Sequence, residues 1–224
     1  MVISSIKIAV IGTGNVGRTL GKRWTELGHE VIFGSRNPKD APVASKTIKE
    51  AVGLSDVILL AVPWPAAKNV ISELGNVLGK ILIDATNPLK PNLEGLEADR
   101  TTSSVEGRSS MSVRKGHSSM SAGEQVAQWA KGAKVVKAFN MIGSAVMGNP
   151  VFGKERALLL ICGDDTEAKK KVADLGTQMG FEVIDAGTIQ AARFLEQVAM
   201  FWISLALKQG LGFDFALKLL RRHD

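Results

Sequence analysis

Residues 7–17, KIAVIGTGNVG, narrow the possible folds more than any other stretch of the chain. A short apolar strand, Ile8-Ala9-Val10-Ile11, runs into Gly12-Thr13-Gly14-Asn15-Val16-Gly17, and a helical pattern follows at once through Arg18-Thr19-Leu20-Gly21-Lys22-Arg23-Trp24. A G-x-G-x-x-G motif between a strand and a helix near the N-terminus is the fingerprint of a dinucleotide site. Gly12 permits the tight turn, Gly14 lets a pyrophosphate approach the backbone, and Gly17 lets the helix pack close to the strand. The helix start then offers free N–H groups to the anion. A dinucleotide in turn implies redox chemistry.

The second strand, Val31-Ile32-Phe33, closes a βαβ unit and leads into Gly34-Ser35-Arg36-Asn37-Pro38. A site for NAD places Asp or Glu here, roughly 20 residues after the glycines, to bind the ribose 2′-OH. This chain has Ser35, Arg36 and then Lys39. A carboxylate would repel a 2′-phosphate, whereas a hydroxyl, a guanidinium fork and an ammonium hold one. The sequence therefore predicts NADP. His29, just before this strand, reads as a structural residue at a turn.

The net charge of the 224-residue chain is +6. Residues 1–55 carry eight basic and four acidic side chains, so positive charge is concentrated where a phosphate-rich cofactor would sit. There is no basic run, aromatic platform or zinc-finger spacing, and nucleic acid is not an expected partner. No apolar stretch reaches membrane-spanning length; the nearest, 194–207, is short and holds Glu196. The N-terminus enters the first strand directly, so no signal peptide and no membrane association are expected. The single cysteine, Cys162, excludes an internal disulfide framework and fits a reducing, cytoplasmic location. It lies in an apolar run and reads as packing material.

Strands and helices alternate along the rest of the chain. Continuous apolar runs at 56–62, 80–86 and 134–140 suit parallel strands covered on both faces. Helical patterns occur at 47–52, 66–78 and 124–130. The order predicts an α/β fold, a Rossmann-type doubly wound parallel sheet with a small C-terminal α+β extension. Residues 1–142 are expected to form the NADP-binding domain and 143–224 the small C-terminal domain. The latter holds strands at 156–162 and 180–186 and helices at 166–179, 189–209 and 213–222. The apolar face of helix 189–209 is broad enough to serve as an interface, and packing on its own sheet explains it equally well. Residues 99–121, rich in Ser, Arg, Gly and Thr, are either a mobile flap beside the site or a disordered insertion, and their composition favours the insertion.

In open parallel sheets, ligands bind outside the C-terminal strand ends. Those ends hold Gly12, Thr13, Gly14, Asn15 and Val16; Ser35, Arg36 and Lys39; Ala61, Val62 and Pro63; Asn87; and Ala138, all candidate cofactor contacts. Asn87 is placed to bond a nicotinamide carboxamide, and Trp64, Asn140, Met141 and Ile142 to wall the redox partner. Turn formation by an Asx side chain explains Asn87 and Asn140 as well. No tyrosine is present, which excludes a Tyr–Lys proton relay. No metal-ligand spacing occurs. No general acid can be nominated, so no catalytic residue is assigned. Hydride transfer between two ring cofactors needs alignment more than acid–base chemistry.

These motifs together resemble the NADPH:coenzyme F420 oxidoreductase family, F420-dependent NADP reductase-like. The resemblance rests on GTGNVG (12–17), GSRNP (34–38), AVPW (61–64), DATNPL (84–89), SAGEQVA (121–127), VVKAFN (135–140), CGDD (162–165) and DAG (185–187), with Arg193, Glu196 and the final Gly210-Leu211-Gly212. It covers nearly the whole chain except residues near 99–118. It implies a cytoplasmic homodimer that binds NADP with its 2′-phosphate near Thr13, Ser35, Arg36 and Lys39. It further implies that a deazaflavin, F420, or a flavin serves as second substrate and small-molecule acceptor. Asn87-Pro88 and Asn140 depart from the archaeal pattern and place the chain closer to a bacterial branch. A small imine or carbonyl reductase and an NADP-binding redox sensor without turnover are the alternatives.

Overall fold

The computed structural model describes residues 5–90, 95–96 and 120–222. An eight-stranded sheet forms its centre. In chain order the strands are β1 (Lys7–Ile11), β2 (Glu30–Ser35), β3 (Ser45–Thr47), β4 (Val57–Leu60), β5 (Ile81–Asp84) and β6 (Lys134–Lys137), then β9 (Leu158–Gly163) and β10 (Glu182–Asp185). The hairpin β7 (Val151–Phe152) and β8 (Glu155–Arg156) stands apart. The sheet order is β10-β9-β6-β5-β4-β1-β2-β3. Every junction is parallel except β6–β9, where Val136 faces Gly163 and Lys137 faces Cys162. The expected doubly wound α/β sheet is present, and it is mostly rather than wholly parallel.

Alternation along each strand divides the apolar residues between two layers. Ile8 and Val10 of β1 face α1 (Asn15–Glu26) and α6 (Thr166–Met179), with Leu20, Trp24, Val172 and Leu175 in the same cluster. Ala9 and Ile11 face the other side, with Ala51 of α2 (Ile48–Gly53), Val70 of α3 (Trp64–Glu73) and Val126 of α4 (Ala122–Trp129). Each fully buried aliphatic side chain contributes roughly 1.5–3 kcal/mol. On the first face Phe139 stands edge-on between Trp24 and Phe181, at centroid distances of 5.9 and 6.0 Å.

Three of the helices close their own starts. Thr47 with Glu50, and Ser121 with Glu124, form capping boxes on α2 and α4, and Asp165 caps α6. Helix α1 starts differently: its cap is Gly14, no side chain bonds its first turn, and that turn holds no acid. Its N–H groups are left for something else.

The C-terminal elements are α5 (Ser144–Gly148), the hairpin, β9, α6, β10, α7 (Ala192–Ile203) and a π-helical turn over Ser204–Lys208. The helix expected over 213–222 is absent among the described residues, and the chain there is irregular. Gly210 and Gly212 adopt φ of 72° and 74° and turn the chain back, so that Phe215 stacks on Trp202 of α7 at 4.9 Å. Beyond them the carbonyls point to other partners: Leu217 O accepts from Leu158 N at 2.9 Å, and Phe215 O from Trp202 Nε1 at 3.1 Å. A helix would have used those carbonyls internally. Of the expected insertion at 99–121, residues up to 119 lie outside the described set, and Ser121 is the cap of α4.

Candidate active site

The strand ends of β1, β2 and β4 open into a cleft of about 260 Å³ lined by Gly12, Thr13, Gly14, Ser35, Arg36, Ala61, Val62 and Pro63, with Ile11, Gly34, Ile48, Ala66 and Val70 as its apolar floor. A second hollow of about 410 Å³ shares Ser35 and Arg36 and continues past Thr47, Lys49, Ser72 and Glu73. The glycines explain why the first cleft exists. Gly12 has φ +117°, and a Cβ there would lie 2.2 Å from the Ala61 carbonyl oxygen. At Gly17 a Cβ would lie 1.9 Å from the Gly12 oxygen, so α1 starts directly against the β1 turn. A Cβ at Gly14 would meet nothing within 4 Å. The space over the uncapped start of α1 is open, as an anion seat requires.

The residues expected to bind cofactor fall into three groups. Gly12, Thr13, Gly14, Ser35, Arg36, Ala61, Val62 and Pro63 line the cleft. Asn15 and Val16 form the first turn of α1, where Asn15 Oδ1 accepts from Arg18 Nη2 at 3.2 Å. Lys39 lies exposed on the 3-10 turn Pro38–Asp40, outside the cleft lining. Neither Arg36 nor Lys39 makes an ion pair with a described residue, and the cleft lining contains no carboxylate.

Further along the same edge, beyond β5 and β6, two amides meet. Asn87 Nδ2 donates to the Asn140 carbonyl at 2.6 Å, and Asn140 Nδ2 donates to Asn87 Oδ1 at 3.1 Å and to Leu195 O at 3.2 Å. Asn140 Oδ1 is buried and accepts no hydrogen bond. Phe139, just before it, has φ +64°, a conformation that costs a non-glycine residue about 1–3 kcal/mol. Ala138, Met141 and Ile142 lie in the core. Trp64 stacks on Trp129 at 5.3 Å, with Lys68 Nζ 5.9 Å from the Trp129 ring centre.

A buried charge cluster adjoins this amide pair. Lys137 Nζ lies 2.9 Å from Asp84 Oδ2 and 3.2 Å from Glu196 Oε1, and all three side chains are buried. Burial pulls the Lys137 pKa down, but the two carboxylates outweigh it and hold the ammonium above its ordinary value. Burial pushes the neighbouring Cys162 thiol up to about 12, so it stays protonated and inert, as packing material should. The cluster was not among the expected site residues. Its signal is a lysine ending the apolar run of β6, opposite an aspartate ending β5. Among the described residues no group of three His, Cys, Asp or Glu is arranged to hold a metal. No described helix is long and apolar enough to cross a membrane.

A mostly parallel doubly wound sheet, a glycine turn feeding an uncapped helix and a cleft outside the strand ends define a dinucleotide-binding oxidoreductase fold. Residues 7–88 match the model of the family "NADP oxidoreductase coenzyme F420-dependent". F420-dependent NADP reductase of Methanocaldococcus jannaschii is 31% identical over 227 residues, covering 91% of this chain and 93% of that one. The chain belongs to the F420-dependent NADP reductase family, whose fold is that of an NADP-dependent oxidoreductase. Metalloreductase STEAP3 of Rattus norvegicus is 31% identical over 87% of this chain, which spans 36% of that protein's length. A solved structure of a putative F420-dependent NADP reductase from Arthrobacter sp. FB24 superposes with TM-score 0.78 at 29% identity, covering 97% of this chain and all of that one. An Aspergillus terreus reductive aminase shares the fold, with TM-score 0.62 at 17% identity.

Proposed function

We propose that this chain transfers hydride between NADP(H) and a ring acceptor, coenzyme F420 or a flavin-like molecule. The carrying observation is the cleft itself: an open seat over Gly14 at an uncapped helix start, with Ser35 and Arg36, which pairs with no described acid, at the ribose end and no carboxylate in the cleft lining. In this reading Gly12–Val16 bind the pyrophosphate. Ser35 and Arg36 hold the 2′-phosphate, with Lys39 reaching in from its turn. Ala61, Val62 and Pro63 border the cofactor, and Asn87 bonds the carboxamide, with Ala138 beside it. Asn140, supported by Met141 and Ile142, faces the acceptor, and Trp64 borders its entry. The nicotinamide supplies the hydride donor or acceptor carbon. The protein aligns the two rings for hydride transfer, and the one proton that accompanies reduction of the acceptor ring is exchanged with solvent, so no side chain need supply it.

The molecule is proposed to act as a homodimer in the reducing cytoplasm. Phe194 and Phe201 lie two helical turns apart on α7 and are 67% and 55% exposed, which supplies an apolar face for a second copy. The test of function is to mix the protein with NADPH and add F420, FMN, FAD or riboflavin separately, following the nicotinamide absorbance band. Rapid oxidation with F420 alone supports the family activity in this chain. Oxidation with flavins alone makes it a flavin reductase on the same scaffold. Tight binding without oxidation by any acceptor overturns the transfer reading in favour of a sensor.

A further inference from the structure

Lys137, Asp84 and Glu196 place one positive and two negative charges in the core. Such clusters are poor stability devices, because desolvation offsets most of the attraction and apolar side chains of similar volume do as well. Their connections show what they constrain. The Lys137 ammonium uses all three donors: Asp84 Oδ2, Glu196 Oε1 and the Thr86 carbonyl at 3.0 Å. The second oxygen of Asp84 accepts from Thr86 N at 2.9 Å and Thr86 Oγ1 at 2.7 Å. Glu196 also accepts from the first amides of α4, Ala122 N at 3.2 Å and Gly123 N at 3.0 Å. Gly123 is required there, since a Cβ would sit 2.6 Å from Ala192 Cβ and 3.2 Å from Lys137 Cδ.

Thr86 is therefore held at its N–H, its hydroxyl and its carbonyl, and Asn87 follows it. Asn87 pairs with Asn140, and Asn140 bonds the carbonyl of Leu195, the residue before Glu196. The contacts close a ring from Glu196 through Lys137, Asp84, Thr86, Asn87 and Asn140 back to Leu195. Within that ring one polar atom is left over, the buried Asn140 Oδ1. Asn87, by contrast, is half-buried and keeps one N–H and one lone pair beyond its bonds to Asn140, the donor and acceptor that a carboxamide needs.

We propose that the Asp84–Lys137–Glu196 cluster is a positioning device for the Asn87–Asn140 amide pair, fixing the turn after β5 so that Asn87, held by Asn140, recognises the nicotinamide carboxamide. The proposal rests on the cofactor reading above. Lys137 and its partners act through Thr86 and are positioning residues.

The test compares binding of NADP+ with binding of adenosine 2′,5′-bisphosphate, the fragment that lacks nicotinamide, by titration calorimetry. Thr86→Val removes one hydroxyl contact, and Thr86→Ser restores it. A triple variant, Asp84→Asn with Lys137→Met and Glu196→Gln, removes the charges together, so that none is left buried and unpaired. Thr86→Val and the triple variant should each bind NADP+ about tenfold more weakly, while fragment affinity stays within about twofold of the parent. Thr86→Ser should match the parent on both ligands. Unchanged NADP+ affinity in a folded Thr86→Val protein overturns the proposal. Equal loss on both ligands does so too, because a general structural defect does not distinguish them. If the parent protein binds neither ligand, the cofactor reading fails and takes the proposal with it. Thr86→Val leaves every charge in place, so the result stands even where the triple variant does not fold.

Discussion

A methyl group added at Gly14 would meet no atom within 4 Å, whereas one at Gly12 would press on the Ala61 carbonyl at 2.2 Å with φ at +117°. The two glycines of one motif thus have separable duties. Gly14→Ala should lower Tm by no more than about 2 °C and weaken NADP binding at least ~10-fold, because the methyl fills the anion's approach. Gly12→Ala should destabilise the fold itself by about 2 kcal/mol or more. Scanning fluorimetry with parallel titrations separates the two effects. At Arg36 the expected loss is selective. Arg36→Ala removes charge-assisted bonds worth roughly 1.5–3 kcal/mol, so NADP affinity should fall about 10- to 150-fold while NAD affinity is unchanged. Equal loss for both would contradict the placement of the 2′-phosphate. These residues were legible in the sequence because their duties are local: a turn, a helix start, a strand end. Lys137 and Glu196 stood among the residues that carry the resemblance, but their pairing was not legible, because it depends on distant elements meeting in the core.

The start of α4 is tied to α7 twice, by Glu196 on its first amides and by Arg193, whose Nη2 lies 3.0 Å from Glu124 Oε1. Burial pushes the Glu124 carboxyl up, but hydrogen bonds from Ser121 and Arg193 outweigh it and leave its pKa below the ordinary 4.5. A depressed carboxyl stabilises the fold above its unfolded pKa, and that stability is lost as pH falls through the folded value. Lowering the pH from 4.5 downward should therefore reduce Tm. Glu50, held low by the Thr47 hydroxyl, and Asp165, held low by the Ala168 N–H, add to the fall. Glu124→Gln should flatten its share, so the Tm gap between parent and variant should close with acid. A constant gap across that range would show that the carboxylate is not what ties α4 down. At this scale the sequence reads well for α6, whose amphipathic run and Asp165 cap are local, and badly for residues 213–222. There the period is helical, but tertiary partners at Leu158 and Trp202 take the backbone carbonyls.

Across the whole molecule, the reversed junction β6–β9 is one part of the topology that pattern did not reveal, because β9 is as continuously apolar and buried as the parallel strands beside it. If the exposed α7 face joins two copies, Phe201→Glu should convert a dimer into a monomer in sedimentation velocity, with the far-ultraviolet spectrum unchanged. A parent protein that sediments as a monomer would assign the face another duty. The reversal also sorts charge. It sends the β9 and β10 ends, with Asp165 and Asp185, to the sheet edge opposite the cleft, where Lys134 and Lys169 neutralise them at 2.9 and 2.8 Å. At the cleft edge Arg36, Lys39, Lys46 and Lys49 form no ion pair with any described residue. These four cations outnumber the carboxylates beside them, Asp40, Glu50 and Glu73, so the cleft edge keeps a positive excess, while Asp165 and Asp185 at the other edge are paired. The consequence is kinetic: an anionic nucleotide should be drawn toward the correct edge before contact, so added salt should slow its capture far more than it hastens its escape.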